Sequence, residues 1–380
     1  MNVRMRDKLR VLMVTPRYFP YMGGIETHVH EVGRRLVQRN VDVTILTTMP
    51  SMSGTPLPRE AEVEGMHVMR VPVLLNKNDF YIAPAMYSLI KHGGWDLVHC
   101  QGIHTMVPPL AMLAAQNAHI PFVVTFHTGG HSSPFRTKIR STQWKMLRPL
   151  LAHAERLIGV SQFEAKYFSE VLHLPPERFS VIPNGATLPA VSSLLPNTDG
   201  HTLIVSLGRL ERYKGHQHMI AALPKICERR PDAHLLILGT GPYESSLRRL
   251  AQKIGVADRV EIRAIPASER KAMTRVLTEA SLVALMSEYE AHPIAVMEAL
   301  SLHRPVLGMD AAGMQELAEQ GLIRCIPLNS SPEEVAAAAL QQIEEPLIPG
   351  HIALPGWDES AEKLLDVYLS VCPVKQLQTV

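Results

Sequence analysis

Short apolar runs alternate with longer stretches in which apolar residues recur at helical spacing along almost the whole chain. The first run, Leu9 to Thr15 (LRVLMVT), is continuously apolar, as a strand buried on both faces of a parallel sheet must be. A loop, PRYFPYMGG, and the pair Gly23-Gly24 lead from it into a predicted helix from Ile25 to about Arg39, and a second strand begins at Val41. After a loop rich in Pro and Ser come a β-rich segment (VEGMHVMRVPVL), a helix from about Asp79, a strand from Asp96, a helix from His104 to His119 and a buried strand, PFVVTFH, ending at His127. A helix from about Thr137 to Ala152, the strand RLIGVS, a helix from Gln162 and the strand RFSVIPNG complete this half.

Residues 186–199 carry Pro, Ser, Thr and Asn without any period, the pattern of a linker. Beyond them the alternation restarts: HTLIVSLGRL, a helix from about His216, HLLILG, a helix from Tyr243, RVEIRAI, a helix from Ser268, the strand Ala280 to Met286, a helix opened by Pro293, the strands RPVLGMD and GLIRCIPL, and a helix from about Pro332. A Pro/Gly break precedes the last predicted helix, 358–371. Repeated β/α alternation on either side of one linker predicts two Rossmann-like, doubly wound α/β domains, over 1–185 and 200–355.

The joint after the strand ending at Met286 organises the candidate chemistry. Pro293 is placed in the first helical turn, where a missing N–H costs least, and Glu290 in the loop before it. Glu298 is then expected more than two turns into the helix, about 12 Å from Glu290 along the axis. Two carboxylates so spaced cannot share a proton or a metal ion. They can grip the two ends of an extended ligand while the helix N-terminus at Pro293, Ile294 and Ala295 faces an anion, and a nucleotide-sugar has that layout. A solvated helix end would show the same spacing. Arg209 and Lys214 follow the strand that opens the second domain, so both project toward the crevice at the carboxyl ends of the strands, unless the loop is merely a solvated basic one.

Charge and composition narrow the function further. Residues 1–190 hold 20 basic against 13 acidic side chains and the remainder 18 against 23, so the halves face different partners, while a net charge of +2 gives no case for nucleic acid. Arg136, Lys138, Arg140, Lys145 and Arg148 lie on or beside one helix with Ile139, Trp144, Met146 and Leu147, the pattern of a basic amphipathic helix with an interfacial Trp; a solvated charged face is the alternative. The four scattered cysteines form no C-x-x-C pair, which fits a reducing cytoplasm rather than a zinc site or a disulfide framework. No run is long enough to cross a bilayer. The G-x-G-x-x-G of a dinucleotide site is missing after the first strand, and Leu46-Thr47-Thr48 puts no acidic residue at the end of the second, so an NAD-dependent oxidoreductase is the weaker alternative. No D-x-D occurs, so neither metal nor other cofactor is expected.

The motifs Gly208-Arg209-Leu210 with Lys214-Gly215, and Glu290 with Glu298 followed by Ala299-Leu300 and Pro305-Val306, resemble the signature of glycosyltransferase family 4, retaining enzymes of the GT-B fold. The resemblance spans nearly the full chain. It implies two Rossmann-like domains facing across a cleft, with the terminal helix returning to the N-terminal, acceptor-binding one. It further implies that Arg209 and Lys214 hold the donor diphosphate, Glu298 the ribose, Glu290 the donor sugar and its developing charge, and His127 the sugar near its reacting carbon. Gly23-Gly24 resembles the family's glycine loop between donor phosphate and acceptor, and Asn184-Gly185 its P-N-G. The implied reaction is retaining transfer of a hexose from a nucleotide-sugar, UDP-glucose or a related UDP-hexose, to a sugar or lipid-linked sugar in polysaccharide or glycolipid synthesis. The basic helix, at Arg136, Arg140 and Lys145, suggests an anionic acceptor or peripheral association with the inner face of the membrane on the N-terminal side, and the cysteines a cytoplasmic place. A non-catalytic scaffold of the same fold is the alternative. Ala291-His292-Pro293 in place of the common Gly-Phe-Gly bears on donor specificity.

Overall fold

A computed structural model describes residues 8–20, 23–49, 57–77, 80–127, 134–186, 188, 201–266, 269–350 and 354–372, with the backbone alone for 75–77, 80 and 134–141. Up to Val181 the elements are β1 (Arg10–Val14), α1 (Gly24–Gln38), β2 (Asp42–Thr48), β3 (Glu60–Val63), β4 (Met66–Val71), β5 (Leu75–Lys77), β6 (Phe80–Ile82), α2 (Ala85–His92), β7 (Leu97–Gln101), α3 (Val107–Asn117), β8 (Phe122–Thr125), α4 (Pro134–Leu151), β9 (Arg156–Gly159), α5 (Gln162–Leu172) and β10 (Phe179–Val181). Then follow β11 (Leu203–Leu207), α6 (His216–Arg229), β12 (His234–Leu238), α7 (Glu244–Lys253), β13 (Val260–Arg263), α8 (Arg270–Glu279), β14 (Leu282–Leu285), α9 (Ile294–Ser301), β15 (Val306–Met309), α10 (Gly313–Glu319), β16 (Arg324–Ile326), α11 (Pro332–Glu344) and α12 (Trp357–Val371).

Two compact units result, one of Met1–Thr128, Ile139–Gly185 and Pro355–Val380, the other of Gly129–Lys138 and Ala186–Leu354. The first holds a sheet of order β10-β9-β8-β7-β1-β2-β4-β3, parallel except for the β3–β4 pair at its edge. Val11 to Val14 have no exposed surface, because helices cover both faces of β1. The second holds an all-parallel sheet of order β13-β12-β11-β14-β15-β16, with an apolar layer packed on each face. In both sheets the chain reverses its direction of travel, at β1/β7 and at β11/β14, and such switch points open the crevice where α/β sheets bind ligands.

Local chemistry sets several boundaries. Ser331 and Glu334 form a reciprocal capping box around Pro332, the first residue of α11. Ser161 accepts the Glu164 N–H at the start of α5. The last helix belongs to the first unit: α12 lies along α1, Trp357 and Tyr368 are buried there, and the Ser360 hydroxyl donates to the Pro183 carbonyl at 2.8 Å.

Several expectations need correction. The helix expected from Asp79 begins only at Ala85, because Phe80–Ile82 pairs with Leu75–Lys77 as a short antiparallel hairpin. The helix α10 was not foreseen, its seven residues being too few to show a period. Pro293 is not in the first turn: it caps α9 in an extended conformation (ψ 108°), so Glu298 is the fifth residue of the helix and the axial separation from Glu290 does not apply. Within the segment read as a linker, Ala186 and Leu188 pack on the second core, and 187 and 189–199 lie outside the described residues.

Candidate active site

β11 and β14 are neighbours in the second sheet although β12 and β13 separate them in sequence, and the loops leaving their carboxyl ends carry Arg209, Lys214 and Glu290. After β11 the backbone turns through Gly208 and Arg209, forms a single 3-10 turn over Arg212–Lys214, and enters α6 through Gly215 at φ 75°. A β-carbon at Gly215 would stand 1.7 Å from the Met286 carbonyl oxygen, so only glycine lets this loop lie against the end of β14. The Glu288 N–H donates to the Tyr213 carbonyl at 2.8 Å and joins the two loops again. From the other side, the Leu210 N–H donates to Thr240 and the Tyr243 N–H to Leu210, each at 2.9 Å. Gly239, just after β12, passes so close to the Gly208 carbonyl that a side chain would collide with it.

On this braced frame Lys214 Nζ sits 2.5 Å from Glu290 Oε1, which also accepts the Ser287 hydroxyl at 2.8 Å. Burial disfavours the ammonium, but the adjacent Glu290 carboxylate outweighs it and leaves the Lys214 pKa raised, so the lysine carries its charge across the physiological range. The Gly313 N–H, at the start of α10, holds the Glu290 carbonyl at 2.7 Å. The Arg209 guanidinium donates to the Tyr213 hydroxyl at 2.9 Å and lies 3.9 Å from Glu211, with 39% of its side chain exposed. Cation, cation and carboxylate thus converge at one switch point.

Glu298 is not among them. It is buried on α9 and ion-paired with Arg270 at the start of α8. Sequence reading missed Arg270, because nothing local ties it to a residue 28 positions away. Pro293 takes the Val296 N–H on its carbonyl, which leaves the N–H groups of Ile294 and Ala295 as those with no carbonyl in the preceding turn.

His127 and the glycine loop lie in the first unit. His127 follows β8 at φ 48°, a left-handed conformation that costs a residue bearing a β-carbon about 1 kcal/mol and persists only where the surroundings enforce it. Its Nε2 is 2.7 Å from Gln101 Oε1, and since that oxygen only accepts, Nε2 carries the proton. His99 bridges the Tyr368 hydroxyl (2.6 Å) and the Thr125 hydroxyl (2.7 Å), and His28 packs edge-on against His127 while its Nδ1 meets Asn184 Oδ1 at 2.8 Å. Asn184 thereby ties the end of the first half to α1. Burial first, and then the nearby His28, His99 and His104, hold His127 well below the ordinary imidazole pKa, so it is neutral. Gly23 caps α1 in extended backbone with no side-chain cap, Gly24 is the first helical residue, and Glu26 in the first turn pairs with Arg17 at 3.4 Å. Thr128, Gly129, Gly130 and His131 lie outside the described residues.

The basic segment is helical, as α4, but the side chains of Arg136, Lys138 and Arg140 are outside the described set. Trp144 is not interfacial: it is buried against Phe168 and Tyr167, while Met146, beside Lys145, is 76% exposed. Among the described residues no helix is long and apolar enough to cross a membrane.

The chain matches known proteins along most of its length. The sequence profile of Glycosyltransferase Family 4 covers residues 22–188, and that of Glycosyl transferases group 1 covers 195–352. The D-inositol 3-phosphate glycosyltransferase of Nocardiopsis dassonvillei is 25% identical over 91% of this chain and 89% of its own. The phosphatidyl-myo-inositol mannosyltransferase of Mycobacterium tuberculosis is 27% identical over 87% and 85%. Among solved structures, HepE of Anabaena in complex with UDP and glucose matches with a TM-score of 0.70 over 96% of both chains at 18% identity, a likeness of fold. Two parallel-sheet α/β domains of the GT-B kind, both halves of the family signature and relatives that are themselves sugar transferases lead to one conclusion: this chain is a glycosyltransferase and belongs to the family 4, group 1 glycosyltransferases.

Proposed function

We propose that the protein is a retaining transferase that takes a hexose from a nucleoside diphosphate sugar, UDP-glucose or a related UDP-hexose, and passes it to a sugar or lipid-linked sugar. The observation that carries this reading is the convergence of Arg209, Lys214 and Glu290 at the β11/β14 switch point. Breaking the glycosidic bond builds negative charge on the departing diphosphate and positive charge on the sugar. Two fixed cations suit the former and a carboxylate the latter, without a metal ion. Glu298, from the neighbouring helix, would take the ribose hydroxyls, and the amides of Ile294 and Ala295 an oxygen of the donor. His127 and the Gly23-Gly24 turn would meet the sugar and acceptor. Retention would follow from attack on the face the diphosphate leaves, with a phosphate oxygen accepting the acceptor's proton.

HepE is described in complex with UDP and glucose, which supports the uridine donor. A relative from Xanthomonas oryzae, 25% identical, is a GDP-mannose:cellobiosyl-diphosphopolyprenol alpha-mannosyltransferase, so the donor assay includes both UDP-glucose and GDP-mannose. Replacing Arg209 and Lys214 together by alanine is expected to weaken UDP binding by about 100-fold or more while UMP binding changes by less than about threefold, since each lost charge-assisted contact contributes roughly 1.5–3 kcal/mol. Calorimetric titration of both nucleotides decides it, and an equal loss for UMP would remove the diphosphate assignment.

The exposed Lys145 and Met146 on α4, in the more basic half of the chain, support attachment to an anionic membrane surface beside a lipid-linked acceptor. Charge reversal at Arg140 and Lys145 is expected to release the protein from vesicles containing phosphatidylglycerol, at roughly 1 kcal/mol per charge. Unchanged co-sedimentation would leave α4 a solvated face.

A further inference from the structure

We infer that His216 is a positioning residue for the donor diphosphate, clamping the Arg209–Lys214 loop to the end of β11; this rests on the reading that those two cations bind the diphosphate. His216 is the first residue of α6 and has no exposed surface. Its Nδ1 lies 2.8 Å from the hydroxyl of Ser206, on β11, and its Nε2 lies 3.3 Å from the carbonyl of Arg209. A carbonyl only accepts, so Nε2 carries the proton and Nδ1 receives the Ser206 hydroxyl proton. One imidazole therefore bridges a rigid strand to the loop immediately before Lys214, two residues from the lysine in sequence. Packing agrees with the bonding: a β-carbon built on Gly208 would lie 3.4 Å from Lys214 Cδ and 3.8 Å from His216 Nε2, so lysine, loop and imidazole meet around one backbone atom.

The arrangement has a functional logic. A cation lowers the energy of a departing diphosphate only where its place is fixed beforehand, since a mobile one must be ordered at the moment of reaction. Arg209 is held at both ends, by the Tyr213 hydroxyl at its guanidinium and by His216 at its carbonyl. The ring, buried and pushed down to about 4, stays neutral in the physiological range and so keeps a lone pair on Nδ1 for Ser206 while Nε2–H serves Arg209. It adds no positive charge beside Lys214.

The test is titration of the full-length chain with UDP against UMP, and GDP against GMP, for the wild type, His216→Ala, His216→Gln and Ser206→Ala. A net hydrogen bond corresponds to about a fivefold to tenfold effect. His216→Ala is expected to lose about that much diphosphate affinity with the monophosphate changed less than about twofold. His216→Gln, whose amide N–H can reach the same carbonyl, is expected to recover most of the loss, and Ser206→Ala to show a smaller loss of the same kind. Equal weakening of mono- and diphosphate, or no weakening, would overturn the inference. Should His216→Ala fail to fold, Ser206→Ala decides by the same criterion. A wild type that binds di- and monophosphate equally well would instead refute the diphosphate reading itself.

Discussion

Glu290→Gln is expected to reduce sugar transfer by about 10²- to 10³-fold while leaving UDP affinity equal to or above that of the wild type. The amide keeps the size of the carboxylate and can still accept the Ser287 hydroxyl, so the loop after β14 retains its shape. What disappears is the negative charge, which on the proposed mechanism faces the positive charge of the reacting sugar. Lys214 at the same time loses the opposing charge 2.5 Å away and offers more of its own to the diphosphate. Loss should therefore fall on kcat, with the Kd for UDP unchanged or lower. A parallel loss of UDP affinity would show that Glu290 serves nucleotide binding, and the sugar assignment would have to be abandoned.

The second large effect is on stability in acid. Burial pushes His28 and His216 down to about 4 from an ordinary value near 6.5, and holds His99 and His127 well below it. As pH falls through 6.5 the unfolded chain binds protons that these buried rings refuse. Their contribution is thus complete above about pH 6.5 and is lost progressively toward pH 4, at about 3 kcal/mol each for His28 and His216. Three of the four rings, His28, His99 and His127, belong to the first unit, which should unfold first. The three tryptophans, Trp95, Trp144 and Trp357, all lie in that unit, so their fluorescence reports it selectively. Urea midpoints followed by tryptophan emission should fall steeply between pH 6.5 and 4.5. Flat midpoints over that range would mean that the buried imidazoles find other proton donors or acceptors in the folded state.

The fold was largely legible because parallel strands buried on both faces, such as Val11–Val14 and Leu282–Leu285, announce themselves as short unbroken apolar runs. Elements that lean on tertiary partners did not. The β5–β6 hairpin and α10 are too short to carry a period, and α10 begins where the Gly313 N–H takes up the Glu290 carbonyl, a contact no local pattern encodes. In the site, the residue types at 209, 214 and 290 could be picked out because each follows a strand. Their partners could not: Arg270 meets Glu298 across 28 positions, and His99 meets Tyr368 across 269. Trp144 was misjudged because an aromatic residue among basic ones suggests an interface, whereas the helical turn directs its ring inward to Phe168. His216 had a local signal, since it directly follows Lys214-Gly215, but only the buried ring's two bonds give it a role.

The return of α12 to the first unit imposes an order of events during synthesis. The helix that covers His99 leaves the ribosome only after every strand of the other unit has emerged. The second unit can thus be complete while the first still waits for Trp357 and Tyr368, and removal of α12 would leave the first unit unfinished rather than the second.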